Sequence, residues 1–172
     1  MNEPYASLER LIATTPDWPV PGVLFRDISP LLAQRFNDTI DAMAGLFAPE
    51  EIATIDGFAG IDARGFIFAA ALAVRLDKNM VMIRKGGKLP PPAHEIEYQL
   101  EYGAARLALK PGQGRVILCD DVVATGGTLA AAAEICQKSG YQVVGFAALI
   151  DLKALNSFSW QDFTVRSVFK YE

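Results

Sequence analysis

At 172 residues, 51% of them hydrophobic and 21% charged, the chain is long enough for one domain with a sizeable core. Its net charge of −4 argues against nucleic acid or an anionic membrane as the main partner, and no apolar run approaches the roughly 20 residues of a membrane-spanning helix. The polar start MNEPYASLER lacks a signal-peptide pattern, and Cys119 and Cys136 share no metal-ligand spacing, so a cytoplasmic chain with two buried free thiols is expected.

Taken in order, PYASLERLI places Leu8, Leu11 and Ile12 on one face of a short helix. Pro16, Pro19, Pro21 and Gly22 then end regular structure. In VLFRDISPLLAQ, Ser29 ahead of Pro30 reads as a helix cap with proline at the first helical position, while Arg26 and Asp27 alone read as an ion pair in a loop. Ile40, Met43, Ala44 and Phe47 fall at helical spacing in NDTIDAMAGLFAPE, a core-facing stripe. EIATIDGFA predicts a strand, IDARG a turn, FIFAAALAVRL a buried helix and NMVMIR a second strand, together a βαβ unit.

The next stretch, RKGGKLPPPAHEIEYQLEYG, opens as a long connection of glycines and consecutive prolines, and such loops in compact domains are usually lids or binding loops. Arg84, Lys85 and Lys88 sit at the end of NMVMI, the edge where open α/β sheets bind ligands, and their charge favours an anion. EIEYQLEYG and AARLALK alternate with period two, which predicts the antiparallel strands of a flap over about residues 84–110. A flap that closes would exclude water from the site. His94, the lone histidine, is expected to be solvated.

The run VILCDDVVATGGT, residues 116–128, joins a buried strand, two acids and a Gly/Thr loop. The chain is expected to leave the sheet at Asp120, and LAAAAEICQKSG follows as a helix stopped by Gly140. Unpartnered amides and the helix dipole at such a turn favour a phosphate. Two carboxylates just ahead would repel that phosphate unless a ribose, whose hydroxyls can donate to them, lay between. A Walker A loop and a GxGxxG fingerprint are both missing. YQVVGFAALI supplies another buried strand, and SFSWQDFTVRSVFKYE ends in an alternating edge strand. Strands alternating with helices give an α/β fold, a mainly parallel sheet with helices on both faces. IDARG, IRKGGK and DDVVATGGT then converge on one sheet edge.

VILCDDVVATGGT resembles the 5-phosphoribosyl-1-pyrophosphate (PRPP) signature of the type I phosphoribosyltransferase family, and PDWPVPGVLFRDISPLL resembles the N-terminal hood of its adenine-specific branch. The resemblance covers nearly the whole chain. It implies the family's fold as one domain over residues 1–172, with a hood over about residues 1–35 and the flap described above. It also implies that Ala124, Thr125, Gly126, Gly127 and Thr128 bind the 5′-phosphate and that Asp120 and Asp121 face the ribose. IDARGF resembles the family's pyrophosphate loop, which assigns Asp62, Ala63, Arg64 and Gly65 to the diphosphate and makes Ala63–Arg64 the expected site of a strained, often cis, peptide. Many relatives carry Ser where this chain has Ala63. IRKGGKLP is similar to the family's IRK-x-GKLP, with Arg84, Lys85 and Lys88 as further diphosphate contacts.

By the same resemblance, Leu24 and Arg26 meet adenine largely through backbone groups, Phe25 stacks on it or shapes its pocket, Leu152 packs on the base, and Asp151 takes the place of a family acid. Glu101 on the flap matches the acid/base glutamate, which completes a catalytic set of Arg64, Glu101, Asp120 and Asp121. Mg2+ is implied, held mainly by PRPP and water with no protein ligand assigned, and so is a homodimer. The activity these implications describe is transfer of the phosphoribosyl group of PRPP to N9 of adenine, giving AMP and diphosphate. Two alternatives stand beside it. A sister enzyme for an oxopurine would keep the PRPP site and change the hood. A regulator using the fold to sense PRPP would usually add a DNA-binding segment, for which this sequence has no spare length.

Overall fold

The computed structural model describes residues 5–100 and 103–172, and the chain divides into two compact units, Met1–Ala42 and Met43–Glu172. In the first, α1 (Ala6–Glu9) buries Leu8, and β1 (Ala13–Thr15) pairs antiparallel with β2 (Phe25–Asp27), Thr14 opposite Arg26. The proline-rich loop between them is tied by Gly22 N–H donating to Asp17 Oδ1 at 2.7 Å, and the Trp18 ring meets Phe25 edge-on at 4.4 Å. Helix α2 (Ser29–Ala44) is capped by Asp27 rather than Ser29: Asp27 Oδ1 accepts the Ser29 N–H at 2.8 Å, making Ser29 the first helical residue. The two helices expected here run end to end through a non-helical break at Arg35 (φ −138°, ψ 42°), whose guanidinium is held by Asp38 and whose carbonyl accepts the Thr39 hydroxyl at 2.8 Å.

The second unit continues with α3 (Pro49–Ala53), β3 (Gly57–Ile61), α4 (Gly65–Arg75), β4 (Asn79–Lys85), β5 (His94–Leu100), β6 (Gly103–Leu109), β7 (Gly114–Val123), α5 (Gly127–Lys138), β8 (Tyr141–Leu152), β9 (Ser159–Trp160) and β10 (Phe163–Tyr171). The strands form one sheet in the order β5-β6-β4-β3-β7-β8-β10-β9. Five neighbours, β4, β3, β7, β8 and β10, run parallel, and the β5–β6 hairpin joins antiparallel at β4. All five residues of β3 are buried, so the sheet is covered on both faces there, as a parallel sheet requires. Phe58, Leu118 and Phe146 on adjacent strands are wholly inaccessible at its centre.

Three boundaries differ from those expected. EIATIDGFA divides: Pro49 in the first turn, and Glu51 Oε2 accepting the Ala48 N–H at 2.8 Å, start a short helix, and the strand begins only at Gly57. Strand β7 does not end at Asp120 but runs to Val123, because Asp120, Val122 and Val123 still pair with Ala148, Ile150 and Asp151. The last strand, β10, lies between β8 and β9, so the two-residue β9 forms that edge.

Glu51 also binds Arg166 of β10, Oε1 to Nη2 at 2.6 Å and Oε2 to Nη1 at 2.8 Å, with the guanidinium over the Phe47 ring. Hydrogen bonds from Arg166 and from the Ala48 backbone bring the Glu51 pKa down to about 2. A lowered carboxylate pKa adds stability that is complete above the unfolded value of about 4.3 and is lost as pH falls through the folded value. Both side chains are 44% exposed, so Glu51→Gln is expected to cost only about 1 kcal/mol at pH 7. Denaturant titrations at pH 7 and pH 3 should show that difference shrinking in acid.

Candidate active site

The ends of β3, β4 and β7 open into a cavity of about 740 Å3. The β3–α4 turn lines it with Asp62, Ala63 and Arg64, the end of β4 with Lys85 and Gly86, the end of β7 with Asp120, Asp121 and Val122, and the first turn of α5 with Thr128. The convergence expected of IDARG, IRKGGK and DDVVATGGT is therefore present. Tyr98, Ala105, Arg106 and Leu107 of the β5–β6 hairpin complete the wall. Sequence reasoning missed these four, although for all but Arg106 the period-two alternation carried the signal: Tyr98 pairs with Ala105 and Ile96 with Leu107, which puts Ile96, Tyr98, Ala105 and Leu107 on one face.

At the β3–α4 turn, Gly65 allows a close approach. A Cβ there would lie 2.6 Å from the Cys119 carbonyl oxygen and 3.2 Å from Asp120 Oδ1, so only glycine lets α4 start against β7. The Asp62 N–H donates to the Ile83 carbonyl at 2.9 Å, and Asp62 Oδ2 accepts from Arg84 Nε at 3.0 Å and the Lys85 N–H at 3.3 Å. Burial pushes the Asp62 pKa up, but these two donors outweigh it and hold it below the usual carboxylate value. The cis peptide is Asp62–Ala63, one bond earlier than expected. Arg64 already has helical backbone angles (φ −73°, ψ −28°) and its carbonyl accepts the Ile67 N–H at 3.1 Å, so the Ala63–Arg64 peptide belongs to the start of the helix.

Two contacts tie Arg64, Asp121 and Asp120 together in the cavity lining. Arg64 Nε lies 2.6 Å from Asp121 Oδ2, and the Asp121 N–H donates to Asp120 Oδ1 at 2.9 Å. Asp121 is 5% exposed. Loss of water and the adjacent Asp121 carboxylate push the Asp120 pKa well above the usual range. Asp121 is thus matched by a cation, while burial and the neighbouring carboxylate disfavour the charged form of Asp120, a cost that a positive centre in the cavity would offset.

The loop after β7 enters α5 through Gly126, at φ +85° in the left-handed region. Its carbonyl accepts the Ala130 N–H at 3.0 Å, which begins the helix and leaves the first-turn amides of Gly127, Thr128 and Leu129 without helical acceptors. Behind the loop, the Phe158 ring would be 2.8 Å from a Cβ on Gly126 and stands edge-on to Phe146 at 5.0 Å.

Residues 33–168 match the family model described as phosphoribosyl transferase domain. The adenine phosphoribosyltransferase of Hydrogenovibrio crunogenus is 52% identical over 166 residues, covering 96% of both chains. The chain belongs to the adenine phosphoribosyltransferase family. A solved member from Thermoanaerobacter pseudethanolicus has a TM-score of 0.85 at 35% identity, covering 96% of this chain and 98% of its own. The Saccharomyces cerevisiae adenine phosphoribosyltransferase, solved with adenine and an imino-altritol bisphosphate, also has a TM-score of 0.85, at 28% identity and with coverage of 98% and 99%. The type I phosphoribosyltransferase fold expected from the sequence is therefore this chain's fold.

Against the family's expected site, the described residues divide unevenly. Lys85 lines the cavity, whereas Arg84 is turned onto Asp62 and lies 5.9 Å over the Phe66 ring, and Lys88 is exposed in the loop beyond. Leu152, half-buried, ends β8 beside the fully buried Asp151, whose Oδ2 is 3.0 Å from Lys153 Nζ. Leu24 is exposed, and Phe25 and Arg26 are half-buried in β2 of the first unit. Glu101 lies outside the described residues. His94 is not simply solvated: it is half-buried, with Nδ1 3.1 Å from Ser139 Oγ, because β5 packs on the end of α5, where Lys138 Nζ also donates to the Glu95 carbonyl at 3.1 Å. Cys119 and Cys136 are buried free thiols; burial pushes both pKa values up, that of Cys136 to about 12.

Proposed function

We propose that this cavity binds PRPP and that the chain transfers its phosphoribosyl group to N9 of adenine, giving AMP and diphosphate. The observation that carries the reading is the convergence of three strand-end loops on one cavity, with Arg64, Asp121 and Asp120 linked in sequence across it. Ala124, Thr125, Gly126, Gly127 and Thr128 take the 5′-phosphate, and Asp62, Ala63, Arg64, Gly65 and Lys85 take the diphosphate. Lys88 is a further diphosphate contact, and Arg84 serves that group through Asp62. Adenine recognition is assigned to Leu24, Phe25, Arg26 and Leu152, and the purine proton to Glu101.

Mg2+ would be held mainly by the phosphates of PRPP and by water, with Asp120 and Asp121 lining the same cavity as hard-oxygen groups. Bound with PRPP, the ion supplies neutralising charge to the leaving diphosphate. The chain's own groups do the rest. Arg64 and Lys85 attract the diphosphate oxygens as the bond to C1′ lengthens, and Asp120 and Asp121 stabilise the positive charge growing on the ribose ring. Holding adenine N9 at C1′ supplies a large share of the rate.

A homodimer is proposed on the exposed apolar side chains Ile67 and Val74, seven residues apart on α4, and Met82 on β4. A cytoplasmic location accords with the two free thiols. Among the described residues, no helix is long and apolar enough to cross a membrane.

The purified chain, given PRPP, Mg2+ and one base at a time, is expected to release diphosphate and form nucleotide with adenine and not with hypoxanthine or guanine. Turnover with an oxopurine alone would overturn the adenine assignment. PRPP binding without turnover on any base would favour a regulator.

A further inference from the structure

Asn156 lies just beyond β8, in none of the three loops that line the cavity, yet its carboxamide reaches the phosphate loop. Asn156 Nδ2 is 2.7 Å from the Ala124 carbonyl, 2.9 Å from the Leu152 carbonyl and 3.1 Å from Asp151 Oδ1. Its Oδ1 accepts the Phe158 N–H at 3.2 Å, which fixes the amide orientation, because a backbone N–H can only donate. The next side chain in this bracket, Phe158, is the ring that backs Gly126. Ala124 and Gly126 are thus held from the same short segment, residues 156–158.

In a trans peptide the C=O and the following N–H point in opposite directions. Holding the Ala124 carbonyl on the Asn156 side therefore turns the Thr125 N–H to the other side of the loop, and it joins the first-turn amides of α5 as a donor for an anion. The two hydrogens on Nδ2 serve three acceptors, so the contacts to Ala124 on one side and to Leu152 and Asp151 on the other are shared. We infer that Asn156 is a positioning residue for the 5′-phosphate loop, fixing the Thr125 N–H and tying the loop to the end of β8. The inference rests on the assignment of residues 124–128 to the 5′-phosphate.

Asn156→Asp keeps the shape and the acceptor for Phe158 but replaces the donor with a carboxylate facing the Ala124 carbonyl. Loss of one such hydrogen bond corresponds to about tenfold in affinity. KM for PRPP and the dissociation constant of ribose 5-phosphate are expected to rise about tenfold, while the affinity for diphosphate and the KM for adenine stay within twofold. A general loosening of the fold would weaken all four. Asn156→Ala, which adds no charge next to Asp151, is expected to reproduce the pattern and serves if the Asp variant fails to fold. Thr125→Ala and Thr128→Ala separate the two claims. If they weaken ribose 5-phosphate and neither Asn156 variant does, the positioning role is overturned. If they too leave it unchanged, the phosphate assignment fails and the inference with it.

Discussion

Replacing Asp120 and Asp121 together with Asn is expected to lower kcat by at least about a thousandfold at saturating PRPP and adenine while leaving the fold intact. Removing a single preorganised electrostatic contact from an active site typically costs 10²- to 10³-fold, and here two charges facing the same developing positive charge are removed at once. The structural cost should be small. Arg64, left without its 2.6 Å partner, is 56% exposed and regains water. Burial and Asp121 already disfavour the charged form of Asp120, so a neutral amide costs little there. A sign follows for stability. A carboxyl whose folded pKa is raised binds its proton more tightly in the folded state, so its contribution falls as pH climbs from the unfolded value of about 3.9 towards the folded one. Asp120→Asn should therefore gain stability relative to the parent across that window, by thermal melts at several pH values. Near-normal turnover in the double variant would remove the acids from the mechanism.

Arg64→Gln is expected to cut kcat/KM for PRPP by about 10²-fold and to weaken product inhibition by diphosphate in parallel. The first effect arises because Arg64 has two tasks in one geometry: it neutralises Asp121 and presents the rest of its guanidinium to the cavity. Truncating Arg64 leaves Asp121, whose side chain is 7% exposed, as an uncompensated buried carboxylate, and such a loss is typically about 2–5 kcal/mol. Arg64→Lys keeps the charge without the planar fork and should fall between parent and Gln, since only the fork can hold Asp121 and an anion together. Initial rates at varied PRPP, with diphosphate as inhibitor, measure both effects. Unchanged diphosphate inhibition in Arg64→Gln would take this residue out of the leaving-group site.

Much of this arrangement was legible in the sequence because it follows from local chemistry. The apolar run ahead of Asp120, the Gly126–Gly127 pair and the alanine-rich helix after them specify strand, turn and helix whatever the rest of the chain does, and β3–α4–β4 was readable from FIFAAALAVRL between its two strands. What escaped depended on partners distant in sequence. β7 runs past Asp120 because β8 is there to pair with it. Arg84 turns from the cavity because Asp62, 22 residues earlier, lies 3.0 Å away. His94 is drawn from solvent by Ser139, and the loop after β7 is tied by Asn156, 32 residues beyond Ala124. The helix start at Pro49 is local by contrast, since proline followed by Glu50 and Glu51 is itself a helix-start signal.

The central claim is that one cavity holds PRPP with its charges in a set order, and a crystal structure of the chain with PRPP and Mg2+ tests it most directly. The expected result places the 5′-phosphate on the amides of residues 125–128, the ribose hydroxyls against Asp120 and Asp121, and the diphosphate at residues 62–65 beside Lys85. A diphosphate bound in the 125–128 loop, or a ribose out of reach of both acids, would contradict it.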